Sequence, residues 1–169
     1  MTTRFATPLD VRALQPLAVR SFLSAYADFN TEENMRNYLA GHFSEEKLLS
    51  TIAAGEILLG IEDEKIAAYA QLIVPGTIRI PHHQPLEIAR LYTDTSLIGK
   101  GFGKQMLEAI DREAHRRGCD SVCLGVWQKN HRAINFYQRE GFRIHGLTKF
   151  LLGDDLQDDF VMLRPVLSA

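Results

Sequence analysis

The sequence predicts one α/β domain over residues 1–169, a mixed sheet with helices on both faces. Three observations predict it. A glycine-rich loop, Gly99-Lys100-Gly101-Phe102-Gly103-Lys104, joins a strand pattern starting at Leu86 to a helical pattern that ends at Gly118. A second apolar run over 121–127 follows at once, so the helix between them reads as a crossover linking parallel strands. Near Ile57 the hydrophobic period changes from helical to strand-like, and no linker, repeat or low-complexity tract divides the chain.

Each element has its own signal. Leu9, Val11, Leu14, Leu17, Ala18, Phe22 and Ala25 fall at helical spacing over 9–27, with Pro16 expected to break or kink that helix. Asn30-Thr31-Glu32-Glu33 reads as a cap opening a helix through Met35, Tyr38 and Leu39. Ser44-Glu45-Glu46 opens another through Leu48, Leu49 and Ile52, which stops at Gly55. Residues 57–61 and 66–74 read as a hairpin across Glu62-Asp63-Glu64-Lys65, and 75–85 as a loop. After the glycine loop, Phe102, Met106, Ile110 and Ala114 recur every four residues beside Leu107, forming one apolar face. Glu108–Arg112 and Glu113–Arg117 are i,i+4 pairs assigned to the wet side, and Gly118 is the stop. Residues 131–140 form a short helix stopped by Gly141. Strands over 142–152 and 160–166, joined by Gly153-Asp154-Asp155, close the sheet.

Composition excludes several classes. The chain is 46% hydrophobic and 24% charged, without an apolar run near the ~18 residues of a spanning helix. Met1-Thr2-Thr3-Arg4 is not a basic-plus-apolar leader, so the reading is a soluble cytoplasmic protein with no membrane partner. A net charge of −2 and the lack of a Lys/Arg tract argue against nucleic acid as a partner. Cys119 and Cys123 have neither redox-pair nor metal-quartet spacing and read as buried reduced thiols. His82-His83 lack a third ligand nearby, so no metal is expected. Asp154, Asp155, Asp158 and Asp159 read as a solvated hairpin turn, with attraction of a polycation as the functional alternative.

A glycine loop at a helix start offers unpaired backbone N–H groups and positive potential to an anion. The Walker A spacing fails, because Gly99 to Gly103 leaves three residues and Gln105 follows Lys104. The dinucleotide fingerprint fails because Met106 stands where its third glycine belongs. A tight turn without ligand is the plain alternative.

Arg90-Leu91-Tyr92, a short linker and the 99–104 loop resemble motif A of the GNAT superfamily of acetyl-CoA-dependent N-acetyltransferases, written Gln/Arg-x-x-Gly-x-Gly/Ala. Gly101 and Gly103 match it. Ile98 stands where Gln or Arg is usual, which removes one side-chain contact to the pyrophosphate and leaves the backbone cradle. The run from Leu124 to Asn130, then Ala133, Phe136-Tyr137 and Gly141-Phe142, resembles motif B. Tyr26, Asn34-Met35, Tyr38-Leu39, Leu86-Glu87-Ile88 and Gly153-Asp154 extend the likeness, over nearly the whole chain, to the Pai-type bacterial polyamine N-acetyltransferases.

The resemblance implies a central, mostly antiparallel twisted sheet of six to seven strands. It implies acetyl-CoA as co-substrate, held between the 86 and 121 strands, and direct transfer to a primary amine of a small molecule. Leu91, Tyr92 and Thr93 would pair with the pantetheine arm, and a backbone N–H of Leu91 or Tyr92 would meet the oxyanion. Gly99, Lys100, Gly101, Phe102, Gly103, Lys104 and Arg139 would face the phosphates, with an ordinary solvated charge as the alternative for Lys100, Lys104 and Arg139. Asn130 matches the cofactor-binding asparagine of motif B, or else caps the next helix. Tyr137 matches the general acid that reprotonates the leaving thiolate, against a packed aromatic. Glu87 matches the base, direct or through water, against a solvated strand carboxylate. Trp127 would line an acceptor pocket or pack in the core. No covalent intermediate is expected at either cysteine. The favoured acceptor is a polyamine such as spermidine or spermine. Peptide or protein amines, amino sugars and amine antibiotics stay open, as does an acyl-CoA-binding regulator with little turnover, and a homodimer is compatible.

Overall fold

The structure is a computed structural model and describes residues 1–167. In chain order its elements are β1 (Thr2–Phe5), α1 (Val11–Tyr26), α2 (Glu32–His42), α3 (Glu45–Ala53), β2 (Ile57–Glu62), β3 (Lys65–Ile73), β4 (Pro85–Thr93), α4 (Phe102–Arg116), β5 (Ser121–Trp127), α5 (His131–Arg139), β6 (Arg143–Leu152) and β7 (Asp155–Pro165). The strands form one mixed, mostly antiparallel sheet in the order β1-β2-β3-β4-β5-β7-β6. Contacts gather the chain into two compact units. One holds residues 1–71, 90–106 and 151–155, and the other 72–89, 107–150 and the chain from 156 onward.

In the first unit β1, β2 and β3 pair antiparallel, Thr2 opposite Ile61 and Ile57 opposite Gln71. Asp63 and Glu64 both take positive φ, 49° and 61°, the geometry that lets a two-residue turn follow the strand twist. β1 is an addition to the sequence reading: four residues are too short for a period, and their partner lies more than fifty positions on. Pro16 was expected to break or kink α1, yet the helix runs through it. Pro16 and Arg12, whose carbonyl loses its N–H partner, are both exposed, while Leu14, Leu17, Ala18 and Phe22 keep the inner face buried. Thr31 and Ser44 cap α2 and α3 by accepting from Asn34 N and Lys47 N.

In the second unit the start of β4 runs parallel to β5, pairing Pro85–Ile88 with Ser121–Leu124, and β5 pairs antiparallel with β7 over its whole length. The crossover reading of the intervening helix holds. Three expectations are corrected. Glu113 is not on a wet face: it is 7% exposed and accepts from Arg116 at 2.7 and 2.8 Å and from Arg117 at 2.5 Å. Among the described residues no ion pair joins Glu108 to Arg112. β7 starts at Asp155, five residues before the expected strand, because Gly153 at φ +65° turns the chain within two residues and the polar run continues as strand.

Candidate active site

In the first unit β4 ends in Leu91, Tyr92 and Thr93, all half-buried. Asp94 ties off the strand: its N–H donates to Ala67 O at 2.8 Å, and its carboxylate accepts from Ser96 N and Oγ at 2.9 and 2.6 Å. The chain then passes through Gly99 and Gly101 at φ +83° and +85°, conformations that side chains rarely adopt. A Cβ on either glycine would meet nothing within 4 Å, so conformation rather than crowding selects them, and the loop is open on its outer side. The first helical bond is Gln105 N to Gly101 O at 3.2 Å, so the N–H groups of Phe102, Gly103 and Lys104 precede the ladder, as at any helix start. Phe102 is 8% exposed and pins the loop to the core, while Lys100 and Lys104 stand in solvent and Ile98 is exposed.

Behind this strand end lies a polar chain that the sequence did not reveal. Arg90 donates to Gln71 Oε1 and to Tyr38 OH (3.1 Å), lies over the Phe43 ring at 4.9 Å, and Gln71 donates to Glu56 at 2.8 Å. Beside it the Tyr69 and Tyr92 rings sit 5.8 Å apart. Tyr69 is 1% exposed with no hydrogen-bond partner for its hydroxyl among the described residues, and burial raises its phenol well above the ordinary value. Tyr92 is part-exposed as a residue, but burial of its hydroxyl, with Tyr26 and Tyr69 adjacent, raises that phenol too. Both stay protonated at any physiological pH.

The second unit carries the other predicted groups. Glu87 is 6% exposed, not a solvated strand carboxylate. It accepts from Thr77 N, from Ile78 N at 2.9 Å and from Thr77 Oγ1 at 2.9 and 3.0 Å, which leaves one lone-pair direction on Oε1. A Cβ on Gly76 would lie 2.6 Å from Glu87 Oε2, so the loop closes on the carboxylate only with glycine there. Asn130 caps α5, its Oδ1 accepting from Ala133 N at 3.1 Å. Tyr137 is 8% exposed, with Phe136 at 5.1 Å and Phe142 at 5.4 Å between ring centroids. Arg139 is exposed on the last turn of α5, and Trp127 is 6% exposed beneath Lys129. Cys119 and Cys123 are unpaired and buried, and burial pushes the Cys123 thiol up to about 12. Among the described residues no three His, Cys, Asp or Glu side chains gather for a metal, and no helix is long and apolar enough to cross a membrane. A cavity of about 460 Å³ lined by Ile78, Arg79, His83, Arg117 and Cys119 contains none of the predicted site residues.

The acidic run is corrected in part. Asp158 pairs with Lys149 at 2.5 Å and Asp154 accepts from Asn34 at 2.6 Å, but Asp159 is only 7% exposed. Strand alternation carried through Gln157, Asp159 and Val161, all buried, was the signal that would have found it.

The acetyltransferase (GNAT) family model matches residues 18–142. An uncharacterised N-acetyltransferase of Mycobacterium tuberculosis is 31% identical over 157 residues, covering 92% of this chain and 97% of that protein. The spermidine N(1)-acetyltransferase of Thermoplasma acidophilum is 26% identical over 136 residues, covering 80% of this chain and 83% of that protein. The crystal structure of the PaiA N-acetyltransferase from Thermoplasma acidophilum in complex with coenzyme A superposes with a TM-score of 0.79 at 22% identity, over 97% of this chain and 98% of that one.

Proposed function

Because the chain belongs to the GNAT family of N-acetyltransferases, we propose that it moves an acetyl group from acetyl-CoA directly to a primary amine, with a polyamine as favoured acceptor. One observation carries the reading. The Gly99–Lys104 loop presents the open helix start of α4 a short turn after β4, which suits a pyrophosphate without need of the side chain that Ile98 replaces. The polyamine rests on the spermidine-acetylating relative.

The thioester supplies the activated acetyl group. The Leu91–Thr93 edge holds the pantetheine arm, and the N–H of Leu91 or Tyr92 receives the charge developing on the carbonyl oxygen. As the amine nitrogen bonds to carbon and the C–S bond breaks, Tyr137 O–H gives its proton to sulfur. The surplus proton on nitrogen leaves through water and restores the phenol. Asn130 serves α5 as its cap, and Lys100, Lys104 and Arg139 add screened positive charge near the phosphates. We assign Glu87 to positioning, since Oε2 is committed to the backbone of Thr77 and Ile78 and Oε1, with one lone-pair direction left, to Thr77 Oγ1. Glu87→Gln is expected to cost only about 1 kcal/mol of stability. The amide oxygen can keep the Thr77 and Ile78 N–H bonds and the N–H₂ can donate to Thr77 Oγ1, so only the charge assistance is lost. The kcat/KM pH profile should keep its shape; loss of its acidic limb would instead make Glu87 the base.

The test is acetyl-CoA-dependent thiol release by purified protein across amines that include spermidine and spermine. Turnover on polyamines supports both reaction and acceptor. Turnover on other amines alone removes the polyamine, and binding of acetyl-CoA without turnover favours a regulator. The assay background should be clean. A thiol reagent such as DTNB is expected to find no reactive cysteine in the native protein and two after denaturation, because burial keeps Cys119 and Cys123 as thiols. Stoichiometric labelling of the native protein would contradict that burial.

A further inference from the structure

β5 is buried along its length except at Gly125, which is exposed. Cross-strand partners share a face, so Cys123, Gly125 and Trp127 lie on the same side as Leu163, Val161 and Asp159. A Cβ on Gly125 would stand 3.5 Å from Asp159 Oδ2 and 3.8 Å from Thr148 Cγ2. The missing side chain therefore leaves a notch in the sheet face, open to solvent above Gly125 and flanked by a carboxylate.

Among the described residues no ion pair neutralises that carboxylate. Asp159 is 7% exposed, and its Oδ1 has no hydrogen-bond partner among the described residues. The charged groups beside it in sequence and on the neighbouring Trp127 do not supply a counter-charge. Asp158 is of like sign and engaged by Lys149, and Lys129 lies over the Trp127 ring. An uncompensated buried carboxylate is costly, and burial with Asp158 beside it pushes this one up to about 6. A chain keeps such a group where a ligand brings the missing charge.

We propose that Asp159 is the specificity residue for a cationic acceptor, accepting hydrogen bonds from an ammonium group of the amine seated in the notch above Gly125. An ammonium carries three donors and no acceptor, so one seated above Gly125 can donate to Asp159 Oδ2 and offset the charge of a carboxylate whose Oδ1 is buried without a partner among the described residues. The proposal rests on the acetyltransferase reading for the identity of the ligand, and not for the geometry of the notch.

The test pairs a binding measurement with a kinetic one, using spermidine as probe on wild-type protein, Asp159→Asn and Gly125→Ala. Asp159→Asn should weaken spermidine binding by calorimetry and raise its KM, each by about 10- to 100-fold, the loss of one charge-assisted hydrogen bond. The KM for acetyl-CoA should change by less than about twofold, and Tm should rise, because a buried charge has been neutralised. Gly125→Ala adds only an ordinary van der Waals contact and should fold while weakening spermidine through the filled notch. Spermidine bound equally by wild type and Asp159→Asn, not bound by wild type, or lost together with acetyl-CoA affinity and Tm overturns the proposal. Spermidine binding that depends on Asp159 without acetylation of any amine would uphold it while removing the transferase reading. Turnover with an unchanged spermidine KM in Asp159→Asn would do the reverse.

Discussion

Tyr137→Phe is expected to lower kcat and kcat/KM together by about 10²- to 10³-fold, within the range for loss of one general acid. The KM for acetyl-CoA and the Tm should hardly move. Tyr137 is 8% exposed, and its ring lies against Phe136 and Phe142. Phenylalanine keeps those ring contacts and removes only the hydroxyl, so what changes is the chemistry at the departing sulfur. A phenol near pKa ~10 can protonate a thiolate whose acid lies near ~8.5 only when the two are held together, because the transfer is uphill. Single-turnover kinetics should therefore show the slow step moving to thiolate departure. A kcat within about threefold of wild type would make Tyr137 a packing residue and leave the thiolate to leave unprotonated.

The parts of this molecule that were legible in its sequence are those whose causes are local. The strand–loop–helix from Leu86 to Arg116 depends on glycines at positive φ and on a four-residue apolar period, and both act within a few residues. Asn130 and Thr31 announce themselves because a cap bonds three residues ahead. What stayed hidden depends on partners far along the chain. β1 has its strand only because β2 exists to pair with it. Pro16 sits in an intact helix because the buried face of α1 outweighs one lost bond on its exposed side. Arg90 was visible as part of a motif, but its anchorage on Tyr38 and Gln71 was not. Glu87 and Asp159 show the same limit with opposite outcomes. One is a carboxylate read as free that proves to be held by Thr77 and Ile78. The other is a carboxylate read as solvated that proves to be buried without a partner. Residue type named both as candidates, and only their surroundings separate an anchor from a receptor.

Asp111→Ala is expected to destabilise the protein by about 3–5 kcal/mol, the cost of leaving a buried charge alone. At about 2–4 °C per kcal/mol for a chain of this size, Tm should fall by roughly 6–20 °C. The partner is Arg164, 2% exposed, whose Nη2 donates to Asp111 Oδ2 at 2.7 Å and whose guanidinium lies over the Phe142 ring at 4.8 Å. Its Nε and Nη1 have no hydrogen-bond partner among the described residues, so the guanidinium already depends on that one acid and that one ring. Removing Asp111 takes away the larger of the two. Burial of the pair is not itself a source of stability, and a shape-matched apolar pair often does as well. The double variant Asp111→Ala with Arg164→Met is therefore expected to recover most of the lost Tm, which separates a stranded charge from a simple cavity. Phe142 connects this pair to the proposed general acid, since the same ring that carries Arg164 also meets Tyr137. A single variant that loses less than about 1 kcal/mol in chemical denaturation would mean that water reaches Arg164, and the pair would then hold neither the fold nor the ring behind Tyr137.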